Sequence, residues 1–373
     1  MSLFDSVTDL AGHAGSQTAF RQRERLRQPV AIPVTAQEWD WHLRRFDDVS
    51  YNQTAVYTAG KWGAARVCQC IVMHGRDLLG GACVTTFVPP FLRQGLAYIN
   101  FGPVWRRSDL PPAEERYRAV VTALYEEYAL RRGHLLSIVP RASPDFSPLE
   151  YRALTRLGFR LRRPSLDPER YLVDLALDPD QQWNSLGQKW RYNLRKALAS
   201  SLRVCECSGE QGYVTIAELH RQMVARKRFD NKDAVDLLTD MAERLAPEHG
   251  PRTFLVHHGD HPVAGAVIGC LGDTAYYLFG ASSAEALPLR AGYALQWHVV
   301  TALRHSGQRW YDLGGSARDD GLRQFKLGLV GRRGVVHAMP GEFDRWSGQT
   351  GRLIAGGIYR LRAAMRLKRA FGL

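Results

Sequence analysis

The sequence predicts an α+β protein of two tandem domains related by duplication, and three observations carry that prediction. At 373 residues the chain is longer than one hydrophobic core usually serves, and it suits two domains of roughly 150 to 200 residues. The pattern Ala-Tyr-x-x-Phe-Gly occurs twice, from Ala97 to Gly102 and from Ala275 to Gly280. Both copies stand in the same order of elements, so the repeat unit is a whole domain and not a turn of a solenoid.

In the first copy, VCQCIVM, a turn at His74 to Asp77, LLGGACVTTF and AYINFGP read as three strands of an antiparallel meander. In the second, TFLVHH, a Gly259-Asp260 turn, PVAGAVIGC, a Gly272-Asp273 turn and AYYLFGA repeat the plan. Each copy then runs into a long helix, about 112 to 132 and 288 to 306, and a further strand, Leu135 to Pro140 and Arg309 to Gly315. A meander followed by a helix and a strand gives a layered mixed sheet, the core of the acetyltransferase-like GNAT fold, and not an alternating parallel sheet. The expected boundaries are an N-terminal extension at 1–35, a first domain at 36–175, a second at 176–345 and a basic C-terminal helix at 346–373.

An apolar fraction of 45% is that of a globular protein and excludes extensive disorder, leaving only the first 30 or so residues loose. No apolar run approaches the ~20 residues of a membrane span, and MSLFDSVTDL has no basic segment ahead of a hydrophobic one. A cytoplasmic protein is expected. Of the six cysteines, neither the Cys68/Cys70 nor the Cys205/Cys207 pair has a second pair at zinc spacing, so no metal is expected. Residues two apart on a strand share a face, which reads Cys68 and Cys70 as small buried side chains. A formal charge of +13 attracts phosphate at long range, although a bias of 43 Arg against 7 Lys supplies part of it.

Gln181 to Ser200 places Trp183, Leu186, Trp190, Leu194 and Ala197 at helical spacing, which predicts one amphipathic helix packed on a core. Its other face carries Arg191 and Arg195 one turn apart, with Lys189 and Lys196 nearby. Like charges at that spacing repel by about 0.2–0.5 kcal/mol. A bridging phosphate relieves the repulsion; a solvated basic face is the alternative the spacing leaves open.

With these segments in view, the sequence resembles the FemA, FemB and FemX peptidoglycan aminoacyltransferases. WNSLGQKWRYNLRKA (Trp183 to Ala197) is similar to the helix that opens that family's second domain. NQTAVYTAGKWG (Asn52 to Gly63) resembles its N-terminal signature, with Tyr57 where a Trp is usual. AYYLFGASS with LRAGYALQW, then YDLGG with GLRQFKLGLVG (Tyr311 to Gly331), complete a match over about residues 36 to 345.

The resemblance implies two tandem GNAT-like domains without the coiled-coil arm that some members insert. It implies transfer of an amino acid from aminoacyl-tRNA, as co-substrate and with no further cofactor, to the amino group of a small acceptor. That acceptor is a cell-wall precursor or a specialised metabolite, often phosphorylated and nucleotide- or lipid-linked. Lys61 and Arg191 carry over as candidate pyrophosphate ligands, with Arg195 one turn from Arg191. Phe325 and Lys326 carry over as the pair near the reaction centre and the tRNA end, and Tyr276 and Tyr277 as residues lining the groove.

Transfer from an ester to an amine runs downhill, and needs a neutral amine beside the carbonyl and positive charge or N–H dipoles at the oxyanion. No covalent nucleophile is required, and the chain has no Gly-x-Ser-x-Gly elbow. Lys326, expected at the surface, is a candidate to stabilise the developing charge or to steer tRNA phosphates. Asp312 is a candidate to orient the amine or to shape a turn.

Two rival readings stand beside this one. An acyl-CoA-dependent N-acyltransferase usually grips pyrophosphate with a Gly-x-Gly loop opening a helix, whereas LPLRAGYALQW offers only Gly292. A non-catalytic nucleic-acid or membrane-surface binder would use the C-terminal segment, where Ile354, Ile358, Leu361 and Met365 share one face and Arg362, Arg366 and Arg369 another.

Overall fold

The computed structural model describes residues 28–90, 92–165, 168–207, 209–227, 235–316, 319–348 and 356–360. In chain order, Val30–Val34 (β1) leads into Ala36–Leu43 (α1), whose first turn is closed by a capping box between Thr35 and Glu38. Ala55–Trp62 (α2) follows a 3-10 turn at Tyr51–Gln53. Val67–His74 (β2), Asp77–Phe87 (β3) and Leu96–Asn100 (β4) form the first meander. Glu114–Tyr125 (α3), which continues as a wider π-type turn to Arg131, leads to Leu135–Val139 (β5), Ser147–Arg156 (α4) and Arg160–Pro164 (β6).

The second half runs through Glu169–Asp174 (β7), Pro179–Ser185 (α5), Gln188–Leu198 (α6), Leu202–Cys207 (β8), Glu210–Lys227 (α7) and Leu238–Arg244 (α8). Arg252–His258 (β9), His261–Leu271 (β10) and Thr274–Ser282 (β11) form the second meander. Ala291–Leu303 (α9), Trp310–Asp312 (β12), Asp320–Val330 (α10), Val335–Ala338 (β13) and Gly341–Arg345 (β14) complete it.

These strands make two seven-stranded sheets, ordered β1-β2-β3-β4-β5-β14-β6 and β8-β9-β10-β11-β12-β7-β13. The plans match place by place, and in both the fourth and fifth strands form the one parallel pair. The sixth place is exchanged. β7 follows β6 in sequence but pairs with β12 and β13, while β14 follows β13 but pairs with β5 and β6. Residues 169–174, expected in the first domain, therefore belong to the second sheet, and residues 341–345, expected in the second, belong to the first.

Each sheet buries one face under helices. Trp105, Tyr117, Leu124 and Tyr128 fill the first core, and Trp190, Leu194, Leu295 and Tyr311 fill the second. A third cluster joins the halves, with Trp39, Tyr51 and Val56 packed against Met241, Leu245, Leu271 and Tyr276. Burying such side chains is worth about 1.5–3 kcal/mol each, so the two sheets are held by a core and not by a linker. At that junction the ring of Tyr51 lies where a side chain on Gly269 would stand: a Cβ there would meet its Cε2 at 1.9 Å.

Two expectations change here. The single helix over Gln181 to Ser200 is two, broken at Leu186–Gly187. The break lets Gly187 donate to the Gly328 carbonyl at 2.9 Å, in a backbone approach that leaves little room for side chains. Residues 30–34, assigned to a loose extension, form the edge strand β1 paired with β2. Of the C-terminal helix expected over 346–373, residues 346–348 and 356–360 are described, with 356–360 helical and Ile358 buried against Leu96 and Leu135; the rest of that expectation lies outside the described residues. Cys70 and Cys83 are buried, and burial pushes both thiols up to about 12. Among the described residues no helix is long and apolar enough to cross a membrane.

Candidate functional site

A cleft of about 1140 Å³ lies between the two halves. Its position follows from the parallel pairs. β4 and β5 stay paired over all five residues, Leu96 to Asn100 against Leu135 to Val139. β11 and β12 pair only over Thr274 to Tyr276 against Trp310 to Asp312, and β11 then runs on to Ser282 without β12. One edge of Tyr277 to Ser282 is thus open, and those residues line the cleft. A free strand edge is a row of backbone donors and acceptors that an extended ligand can pair with.

The same hexapeptide behaves differently in the two halves. After Asn100 the first copy turns sharply, with Phe101 at φ 53° and a cis Gly102-Pro103 bond, whereas Phe279 and Gly280 continue the strand. The first copy therefore supplies a wall: Asn100 and Phe101 face the opening, joined by Tyr51, Asn52, Tyr57 and Lys61 from the segment before β2. Lys61 is exposed, with its ammonium 5.8 Å from the Tyr57 ring and 5.6 Å from Trp62.

Lys326 sits on the opposite wall and corrects the expectation of a surface lysine. It is buried, and Nζ donates to the carbonyls of Leu313 (2.6 Å) and Gly315 (2.5 Å). The reason is the spacing on α10, where Lys326, Leu329 and Val330 form the inward face beneath the loop that leaves β12. Phe325, also a cleft residue, packs its ring 5.0 Å from Tyr293 and 5.9 Å from Trp190.

Asp312 does not line the cleft. It is buried, accepts a bond from the Gly314 amide at 2.8 Å, and takes a bidentate pair from Arg170, whose Nη2 lies 2.8 Å away. The turn-shaping role is the one its geometry serves. Arg170 does line the cleft and lies over the Phe101 ring at 5.2 Å. It arrives on the exchanged strand β7, and sequence reasoning missed it because no local pattern links it to Asp312.

Tyr276 is buried in the cleft floor, accepting from Arg141 at 3.1 Å and donating to the Val49 carbonyl at 3.2 Å. Tyr277 also lines the cleft, and burial raises its phenol to about 12, so it is neutral and a donor near pH 7. His220, on α7, was not anticipated either; burial lowers its pKa, partly offset by Asp236. A neutral imidazole on the wall is a proton acceptor.

Arg191 and Arg195 are not among the cleft residues, which corrects their assignment as substrate ligands there. Arg195 is exposed and lies over the Trp183 ring at 5.5 Å, while Arg191 is half-buried. Among the described residues no group of three or more His, Cys, Asp or Glu could hold a metal.

Residues 185–327 match the family model described as Acetyltransferase (GNAT) domain. No curated protein matches the sequence. Among solved structures the fold is similar to FemX, at TM-score 0.69 and 19% identity over 86% of this chain and 98% of that one. It is also similar to L-PGS from Bacillus licheniformis, at TM-score 0.53 and 12% identity over 87% and 96% of the two chains. A third similar structure is the C-terminal domain of a putative lysylphosphatidylglycerol synthetase from Agrobacterium fabrum, at TM-score 0.51 and 14% identity over 86% and 94%. The chain has a two-sheet α+β fold similar to that of FemX, and residues 185–327 within it are similar to a GNAT acetyltransferase domain.

Proposed function

We propose that the chain transfers an aminoacyl group from aminoacyl-tRNA to the amino group of a small, phosphate-bearing acceptor in the cleft between its halves. The observation that carries this reading is the open edge of β11 facing a wall from the other half, with Lys61 at one side and Lys326 at the other. A one-domain acyltransferase needs no such second wall. The size of the cleft suits two bulky substrates meeting end to end.

In this reading Lys61, held among aromatic rings, takes the acceptor's phosphate. The amine approaches along β11, and His220 accepts its proton as the amide bond forms and the ester C–O bond breaks. The proton reaches the departing ribose oxygen, so atoms balance without a covalent enzyme intermediate. Lys326 keeps the Leu313 to Gly315 turn closed and brings positive charge beside the carbonyl that develops an oxyanion. Fold relatives named for lysylphosphatidylglycerol synthesis and as FemX support an aminoacyl donor. Peripheral membrane contact and a cytoplasmic location belong to the same proposal.

The test is incubation of the protein with a pool of radiolabelled aminoacyl-tRNAs and candidate amine acceptors. Label should move to the acceptor, the rate should fall steeply as salt rises, and ribonuclease should abolish it. A second reading, acyl-CoA-dependent N-acylation, is favoured by the start of α9, where Gly292 opens onto the cleft. Turnover of acetyl-CoA in the presence of ribonuclease would select it.

A further inference from the structure

Helix α2 is the wall between two cavities. Tyr57 and Lys61 face the cleft, while Ala55, Val56 and Ala59, on its other face, line a second cavity of about 690 Å³. That cavity is closed by α1 on one side and by α8 and the turn after it on the other, so both halves of the chain contribute walls.

Inside it lies Asp40. Its Oδ1 accepts a single bond, from the Ala55 amide at 3.2 Å, and among the described residues it has no ion-pair partner. Desolvation raises its pKa to about 6, with the Ala55 bond pulling the other way, so it is still largely anionic near pH 7. Asp40 is half-buried, and a partly desolvated carboxylate with no cation beside it is a candidate binding group. The lining is mixed: Val56, Ala59, Leu245 and the ring of Trp41, a tryptophan left 57% exposed at the mouth, form its apolar part, and Gln37, Thr54, Gln69 and His249 also face it. Arg44 and Arg244 also line the cavity, and Arg44 already pairs with Glu248 at 3.3 Å.

We infer that this cavity is a second ligand site, separate from the transfer cleft, which takes a small apolar amine with its ammonium on Asp40 and its body against Trp41. The charge of the ligand follows from the acid, since a cation supplies the partner the carboxylate lacks. The aromatic body follows from the exposed ring and aliphatic floor. Occupancy is positioned to be felt at the cleft: Tyr51, which lines the cleft, donates to the carbonyl of His249, which lines the second cavity, at 2.6 Å.

The test uses three probes, 2-phenylethylamine, its neutral isostere 2-phenylethanol and the anion 3-phenylpropionate, titrated into the full chain at pH 7.5 by calorimetry and ligand-observed NMR. The amine should bind saturably, and the alcohol and the acid about tenfold more weakly or not at all. Asp40→Asn keeps an oxygen for the Ala55 amide and so should fold, and it should weaken the amine about tenfold. Ala59→Leu fills the cavity from α2 and should abolish binding. Absence of amine binding, equal binding of 3-phenylpropionate, or unchanged amine affinity in folded Asp40→Asn overturns the inference. Because the readout is binding and not transfer, it stands or falls independently of the reaction proposed for the cleft.

Discussion

Arg141 of the first half reaches 2.7 Å to the Asp273 carboxylate on the β10–β11 turn of the second, and its guanidinium also holds the Tyr276 hydroxyl in the floor of the cleft. Arg106 reaches the same carboxylate at 2.5 Å, and both arginines are almost wholly buried. Desolvation alone would raise the Asp273 pKa, but Arg141 and Arg106 outweigh it and hold the carboxyl well below the usual range. Breaking a buried pair from one side leaves uncompensated charge, so Asp273→Asn is expected to cost about 3–5 kcal/mol in urea unfolding at pH 7. The group's folded pKa is depressed, so its contribution is complete above the unfolded value of about 4 and is lost as pH falls below it. The cost of the substitution should therefore shrink between pH 4 and pH 2. An equal cost at both ends would place the interaction elsewhere.

Lys326→Met is expected to lose stability as well as activity. Two carbonyls that share one buried ammonium lose a charged donor, a change worth about 1.5–3 kcal/mol. If charge at the reacting carbonyl is also lost, transfer should fall about a hundredfold in single-turnover assays at a temperature where the variant remains folded. A folded variant that transfers at the wild-type rate would confine Lys326 to the turn.

His220→Gln separates proton acceptance from packing against the Phe279 ring, 5.8 Å away. With its pKa lowered by burial, the wild-type imidazole is neutral at pH 7 and charges only as pH falls. The kcat/KM of the wild type should drop on the acid side, below the ordinary imidazole value of about 6.5, and in the variant that limb should vanish with a loss of about 10²-fold at neutral pH. An unchanged acid limb would assign it to another group.

Gly269→Ala probes the join between the halves. The added methyl meets the ring of Tyr51, itself 2% exposed, so either the ring or the strand must move. A cost of about 1–3 kcal/mol is expected, with KM rising more than kcat falls because Tyr51 is a wall of the cleft. The double variant Gly269→Ala, Tyr51→Ala should recover part of the stability; failure to do so would show that the strand and not the ring is the obstacle.

Much of the scaffold was legible because its signals are local. Apolar strands between short Gly-containing turns gave both meanders, and the repeated hexapeptide pattern gave their equivalence. Phe325, Lys326, Tyr276 and Tyr277 were named from short motifs and do converge on one cleft. Arg191 and Arg195 show the limit of such reasoning, because helical spacing fixes that two side chains share a face but not which way the face turns.

The sequence by itself determined the α+β class, the duplication and the order of meander, helix and strand within each copy, since each depends on periodicity and turn chemistry within a few residues. Only the tertiary structure decided which strands complete which sheet. β6 and β7 are neighbours in sequence and would suit a hairpin, yet β7 joins the second sheet and β14 returns to the first. Strand pairing is chosen by which open edge and which core the whole chain presents, and both exchanged strands see an equivalent edge in the other half. That exchange delivers Arg170 to the cleft, and the differing ends of two hexapeptides of one pattern open the cleft in one half alone. The exchange is not written in the residues concerned, because it is set by pairings between segments more than a hundred positions apart.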